Sequence, residues 1–160
     1  MSAQKLDRVL RAYRIGDPHG AYPIFDTKGS VLNPGRWNTA VSPMLYCSEH
    51  YSTAILEKLV HGGGVLPPDQ HYIEITIPNG LNYEVFNAAK FPDWYLPSCV
   101  SSKAYGELWQ QQCRSLVLIV PSIVARLERN FLLNPAHPEF AQVTTSLHQP
   151  IWWDSRLFSP

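Results

Sequence analysis

Residues 71–78 read HYIEITIP, an alternation that puts Tyr72, Glu74 and Thr76 on one face of an extended chain and Ile73, Ile75 and Ile77 on the other. This is the pattern of a strand with one face in a core. Residues 115–120, SLVLIV, are apolar after the serine without alternation, which calls for burial on both faces and a central place in a sheet. Pro121 stops that strand. Working outward, RVLRAYRI (8–15), PMLYCS (43–48), NYEVF (82–86) and ERNFLLN (128–134) read as further strands, and PIWWD (150–154) as a returning edge strand. Ile55, Leu56, Leu59 and Val60 have helical spacing, with Ser48 expected as the cap of that helix and Gly62 to Gly64 as its end. A second helix is expected from about Ser102 through Gln112 and a short one within 138–147. Gly16 to Gly35 reads as a long loop, and loops of that length usually carry function. Strands outnumber helices and the connections mix types, so the class is α+β.

The chain has 160 residues, 45% hydrophobic and 16% charged, without an internal repeat or a Ser/Gly linker. One domain over 1–160, with a core at about 8–158, is the expectation. Thirteen Lys and Arg balance thirteen Asp and Glu, which removes the attraction that most nucleic-acid or anionic-membrane binders depend on. With five Trp, eight Tyr and six Phe on a neutral chain, some apolar surface is expected to be covered by a partner. Cys47, Cys99 and Cys113 are odd in number and lack CxxC spacing, which argues against a disulfide framework or a zinc knuckle and fits a reducing cytoplasm. The first fifteen residues have no apolar core of a signal peptide, and the longest aliphatic run, Leu116 to Val120, is too short to span a bilayer.

None of the nine glycines falls in GxGxxG, GxxxxGK[ST] or GxSxG, so the usual dinucleotide, P-loop and hydrolase signals are missing. The six histidines show no HExxH and no pair on one helical turn, so no metal is expected. What remains is Gly35-Arg36-Trp37-Asn38 on the loop, Tyr46 ten residues after Arg36, and Glu57 eleven further on. A loop, a short strand and a helix joined tightly can bring all three to one cleft. Glu57 lies beside the helix's apolar stripe, so it should be partly buried and need a partner, for which Arg36 is a candidate. Spacing alone equally allows a solvated Glu57, a structural Arg36 and a core Tyr46, and such structural roles are the commoner ones.

GRWN (35–38), LYCSE (45–49), AILEKLVHG (54–62), HYIEITIP (71–78), LIVPS (118–122), NFLLNPAHPEF (130–140) and WDSRLF (153–158) together resemble the RES-domain family, in order and over nearly the whole chain. Pro34 stands where that family often has a second glycine. The resemblance implies an ADP-ribosyltransferase-like mixed sheet with flanking helices. It also implies a toxin of a bacterial toxin–antitoxin pair with NAD as its substrate, cleaved at the nicotinamide–ribose bond. Mono-ADP-ribosylation of a specific protein is the nearest alternative, and a catalytically silent binding module of a transcriptional complex is a more distant one. The implied partner is an Xre-type helix-turn-helix antitoxin that occludes the active site and supplies the DNA-binding surface.

By the same resemblance Arg36, Tyr46 and Glu57 are the expected catalytic residues. Arg14, Arg36, Trp37, Asn38, Tyr46 and Ser122 form the expected substrate-binding set. Each fits a task in NAD cleavage. Glu57 stabilises the positive ribose that develops as nicotinamide leaves. A guanidinium fork suits a pyrophosphate, which favours Arg36 with Arg14. Tyr46 offers an aromatic face and a hydroxyl, and Ser122 a hydrogen bond, although a serine after Pro121 serves a turn equally well.

Overall fold

In chain order, residues 3–65 and 67–158, which the computed structural model describes, form β1 (Gln4–Lys5), β2 (Leu10–Gly16), α1 (Lys28–Leu32), β3 (Leu45–Ser48), α2 (Tyr51–His61), β4 (His71–Ile77), β5 (Asn82–Val85), α3 (Val100–Gln111), β6 (Val117–Pro121), β7 (Arg129–Leu133), β8 (Thr144–Thr145) and β9 (Gln149–Pro150). The strands make one mixed sheet in the order β1-β5-β6-β7-β3-β2-β4-β8, with β9 also on β4. The expected α+β mixed sheet is therefore present. β5 and β6 are the one parallel pair among the described residues, and α3 is carried in the crossover that parallel neighbours require.

The two diagnostic stretches behave as their patterns demand. In β4, Ile73, Ile75 and Ile77 are at most 5% exposed, and the strand pairs with β2 along its whole length. β6 lies inside the sheet and sends Val117 and Ile119 to one core and Leu118 and Val120 to another. The second core also holds Trp37, Met44, Phe86, Trp94, Trp109 and Leu132, with Tyr46 and Tyr105 packed against it. α3 sits so close to the GRWN loop that a Cβ on Gly106 would fall 1.8 Å from the Trp37 carbonyl oxygen, so only glycine fits there.

Several local expectations are corrected. Ser48 does not cap α2: it ends β3, its hydroxyl donates to Asn130 Oδ1 at 2.7 Å, and His50 holds the cap position. The Ile55, Leu56, Leu59 and Val60 stripe is not the buried face of α2 either. Thr53 and Ala54 are buried while Leu56 and Val60 are 43% and 60% exposed, because the helix lies on β2 and β3 through its small residues. The 16–35 loop contains α1. The helix expected within 138–147 is a single 3-10 turn at Pro138–Gln142, and the last strand is Gln149–Pro150 rather than 150–154.

Candidate functional site

β2 and β3 pair at Tyr13 and Ser48. Beyond that point the Arg14 side chain reaches across, Nη1 donating to Tyr46 O at 2.7 Å and Nε to Ile24 O at 2.6 Å. A cleft of about 670 Å³ opens here, within the size range of small-molecule sites. Its walls come from β2, the 33–37 loop, β3, α2, the start of α3 and the ends of β6 and β7. Arg14, Arg36, Trp37, Tyr46 and Glu57 all line it, so residues spread over more than forty positions converge.

The charge in the cleft is lopsided for a neutral chain. Arg14, Arg36, Lys58 and Lys103 line it, and Glu57 is its one carboxylate among the described residues. None of the four cations forms a salt bridge among those residues. Arg14 is held by carbonyls alone, and Arg36 Nη1 donates to Trp94 O at 3.0 Å and Leu96 O at 2.9 Å. Burial works against the charge of Arg14, and burial followed by the nearby Arg14 lowers the pKa of Lys58, with Asp17 opposing. Two guanidiniums held by neutral carbonyls, with two lysines lining the same cleft, favour an incoming anion.

Glu57 finds partners other than the one expected. Its Oε1 accepts from Ser122 Oγ at 2.9 Å and from Asn130 Nδ2 at 2.8 Å, whereas Arg36 points to the 94–96 carbonyls instead. The Arg36 pairing is thus replaced by two neutral donors, Ser122 just past the end of β6 and Asn130 in β7. Both bonds fall on one oxygen, and Oε2 receives none from the described residues.

Tyr46 is held just as firmly. Its hydroxyl donates to Asn38 Oδ1 at 2.6 Å and accepts from the Trp37 amide at 3.1 Å. Burial pushes its phenol well above the ordinary value, so the group stays protonated and is a hydrogen-bonding group rather than a base. Asn38 and Ser122 are fully buried and absent from the cleft lining. Asn38 ties together Gly35, Tyr46, Ser30 and Thr39, and Ser122 ties Glu57 to the Ala125 amide. Trp37 touches the cleft yet is 3% exposed, its ring packed against Phe86 and Trp94. Direct contact with a ligand is therefore open to Arg14, Arg36, Tyr46 and Glu57, while Asn38, Ser122 and Trp37 support them from behind.

Sequence reasoning missed Lys58, Lys103 and Asn130. Lys58 had a signal, since it follows Glu57 on the helix and shares its side of the cleft. Asn130 had none, because nothing local ties a residue in β7 to one 73 positions earlier.

Comparison with known proteins matches residues 11–154 to the model of the RES domain. A protein of Sphingobium sp. (strain YBL2) named Prs ADP-ribosylating toxin is 33% identical over 152 residues, covering 92% of this chain and 90% of that protein. One from Photorhabdus laumondii named Toxin Res is 32% identical over 133 residues, covering 81% and 85%. Among solved structures, the M. tuberculosis MbcT–MbcA toxin–antitoxin complex contains a chain with the same fold, at a TM-score of 0.70, 12% identity, and coverage of 92% of this chain and 86% of that one.

Proposed function

The chain belongs to the RES-domain family, and from that premise we propose that it is the toxin of a toxin–antitoxin pair and breaks the nicotinamide–ribose bond of NAD. The observation that carries this reading is the cleft itself, with four cations that have no acid partner, and one carboxylate with an oxygen that receives no hydrogen bond, among the described residues. Arg14 and Arg36 meet the pyrophosphate, assisted by Lys58. Tyr46 supplies its hydroxyl to the ribose and its ring to nicotinamide. Glu57 Oε2 accepts from a ribose hydroxyl and faces the charge that builds when the C–N bond breaks. The bond's electron pair leaves with nicotinamide, an acceptor adds to the ribose carbon, and the acceptor's proton is lost to solvent. The Tyr46 phenol holds its proton, so Tyr46 takes part by hydrogen bonding rather than as the base.

Water or phosphate as acceptor depletes NAD in the cytoplasm and arrests growth. Transfer to a protein side chain is the second reading, favoured by the Sphingobium relative's name. An Xre-type helix-turn-helix antitoxin over the cleft mouth completes the proposal, adding the basic surface that a chain of formal charge zero lacks. Incubating the purified chain with NAD, with and without phosphate and candidate proteins, separates the products: nicotinamide with ADP-ribose, nicotinamide with ADP-ribose phosphorylated at the ribose carbon, or nicotinamide with ADP-ribosylated protein. Intact NAD under all three conditions overturns the enzymatic reading and leaves a silent binding module.

A further inference from the structure

We infer that Ser48 is a positioning residue for the proposed cleavage, acting through the Asn130 amide to fix the orientation in which the Glu57 carboxylate faces the substrate. The inference rests on the NAD-cleaving reading above. Ser48 and Asn130 are directly opposite each other in the β3–β7 ladder, so their side chains stand together on the cleft face of the sheet. Ser48 and Asn130 both line the cleft, but Ser48 is 4% exposed and offers a ligand almost no surface. Its Oγ donates to Asn130 Oδ1 at 2.7 Å, and Asn130 Nδ2 donates to Glu57 Oε1 at 2.8 Å.

An asparagine amide can present either end to a neighbour. With its oxygen taking the Ser48 proton, its NH₂ end is aimed at Glu57, whereas the reverse orientation would set the amide oxygen against the carboxylate. The bond from Ser48 also polarises the amide and strengthens its donation to Oε1. On the other side, Ser122 Oγ accepts from the Ala125 amide at 3.2 Å, which leaves its own proton for the same Oε1 at 2.9 Å. Two donors converge on one oxygen, so the carboxylate cannot rotate without breaking both, and Oε2 is the atom left for the ribose. Without Ser48 the amide is anchored at one end only, and the carboxylate loses part of its orientation.

The test uses the full chain, with kcat and KM for NAD loss measured beside thermal unfolding. Ser48→Ala is expected to lower kcat by roughly 10- to 100-fold, the scale of a misplaced reacting group, with KM changed less than about twofold. Ser48→Thr, which keeps the hydroxyl, is expected to recover most of that loss. In an Asn130→Ala background, Ser48→Ala should cost less than about twofold, because its route is already cut. Wild-type kcat in Ser48→Ala, or equal losses in both backgrounds, overturns the inference. If Ser48→Ala unfolds, Ser48→Cys, close in size and a weaker donor, carries the same test. Unfolding of both makes Ser48 a purely structural residue and overturns it too. Should the wild-type chain leave NAD intact, the parent reading fails on its own. The ¹³C carboxyl resonance of Glu57 then decides the relay: a shift in Ser48→Ala supports it, and an unmoved resonance overturns it.

Discussion

A Cβ placed on Gly35 would stand 2.8 Å from the Tyr46 hydroxyl oxygen and 2.9 Å from the ring carbon that bears it. The glycine of GRWN is thus the floor on which the tyrosine lies. Gly35→Ala is expected to push the ring off its Asn38 and Trp37 bonds, costing about 1–3 kcal/mol of stability and most NAD turnover. Urea unfolding beside an NAD assay checks it, and full stability with full turnover would contradict this contact.

Glu57→Gln keeps size and an oxygen for Ser122 and Asn130 but removes the charge. NAD binding should survive while turnover falls by roughly 10²- to 10³-fold, the usual loss for one preorganised electrostatic group. Calorimetric NAD binding and the rate of NAD loss separate the two effects. Turnover at the wild-type rate would remove Glu57 from the chemistry.

Arginine-to-lysine changes should act differently at the two guanidinium sites. Arg14 serves the Ile24, Tyr46 and Asp26 carbonyls at once, and a lysine cannot span them, so Arg14→Lys is expected to lose about 1–3 kcal/mol of stability as well as NAD affinity. Arg36→Lys gives up bonds to Trp94 and Leu96 nearer the surface and should chiefly weaken NAD binding. Unchanged affinity in both variants, measured by calorimetry, would sink the phosphate role.

Stability should decline in alkali for a traceable reason. Burial pushes the Cys47 thiol from the ordinary 9.0 up to about 12. Between those values the unfolded chain has released the proton and the folded chain retains it, so stability present below pH 9 is lost as pH rises. By pH 10.5 the loss is about 2 kcal/mol from this group, with Tyr46 adding to it above pH 10. Unfolding free energies at pH 8.5 and 10.5 should fall less steeply in Cys47→Ala than in wild type.

Legibility in the sequence followed the range of each interaction. The alternation at 71–78 and the apolar run at 116–120 reflect burial of β4 on one face and of β6 on both, and both strands appear where expected. Arg36, Tyr46 and Glu57 do meet at one cleft, as short spacings along a loop, a strand and a helix allow. The partners of Glu57 were not legible, because Ser122, just past β6, and Asn130, in β7, lie 65 and 73 residues further along the chain. The buried face of α2 was misread for a related reason. Apolar periodicity marks the face that can be buried, but close packing on β2 and β3 selected Thr53 and Ala54 and left Leu56 and Val60 outside.

β7 occupies the middle of the sheet although it comes late in the chain, between β6 and β3. On the ribosome this order delays the site. Until residues 129–133 have left the exit tunnel, β3 and β6 have no strand to join them, and Glu57 has neither the Asn130 donor nor a settled β6 end to hold Ser122. A nascent chain would therefore lack the assembled cleft until β7 emerges. Truncation before residue 129 should abolish the cleft rather than trim it. On the proposed reading of a toxin that consumes NAD, that delay would leave time for a neutralising partner to be made.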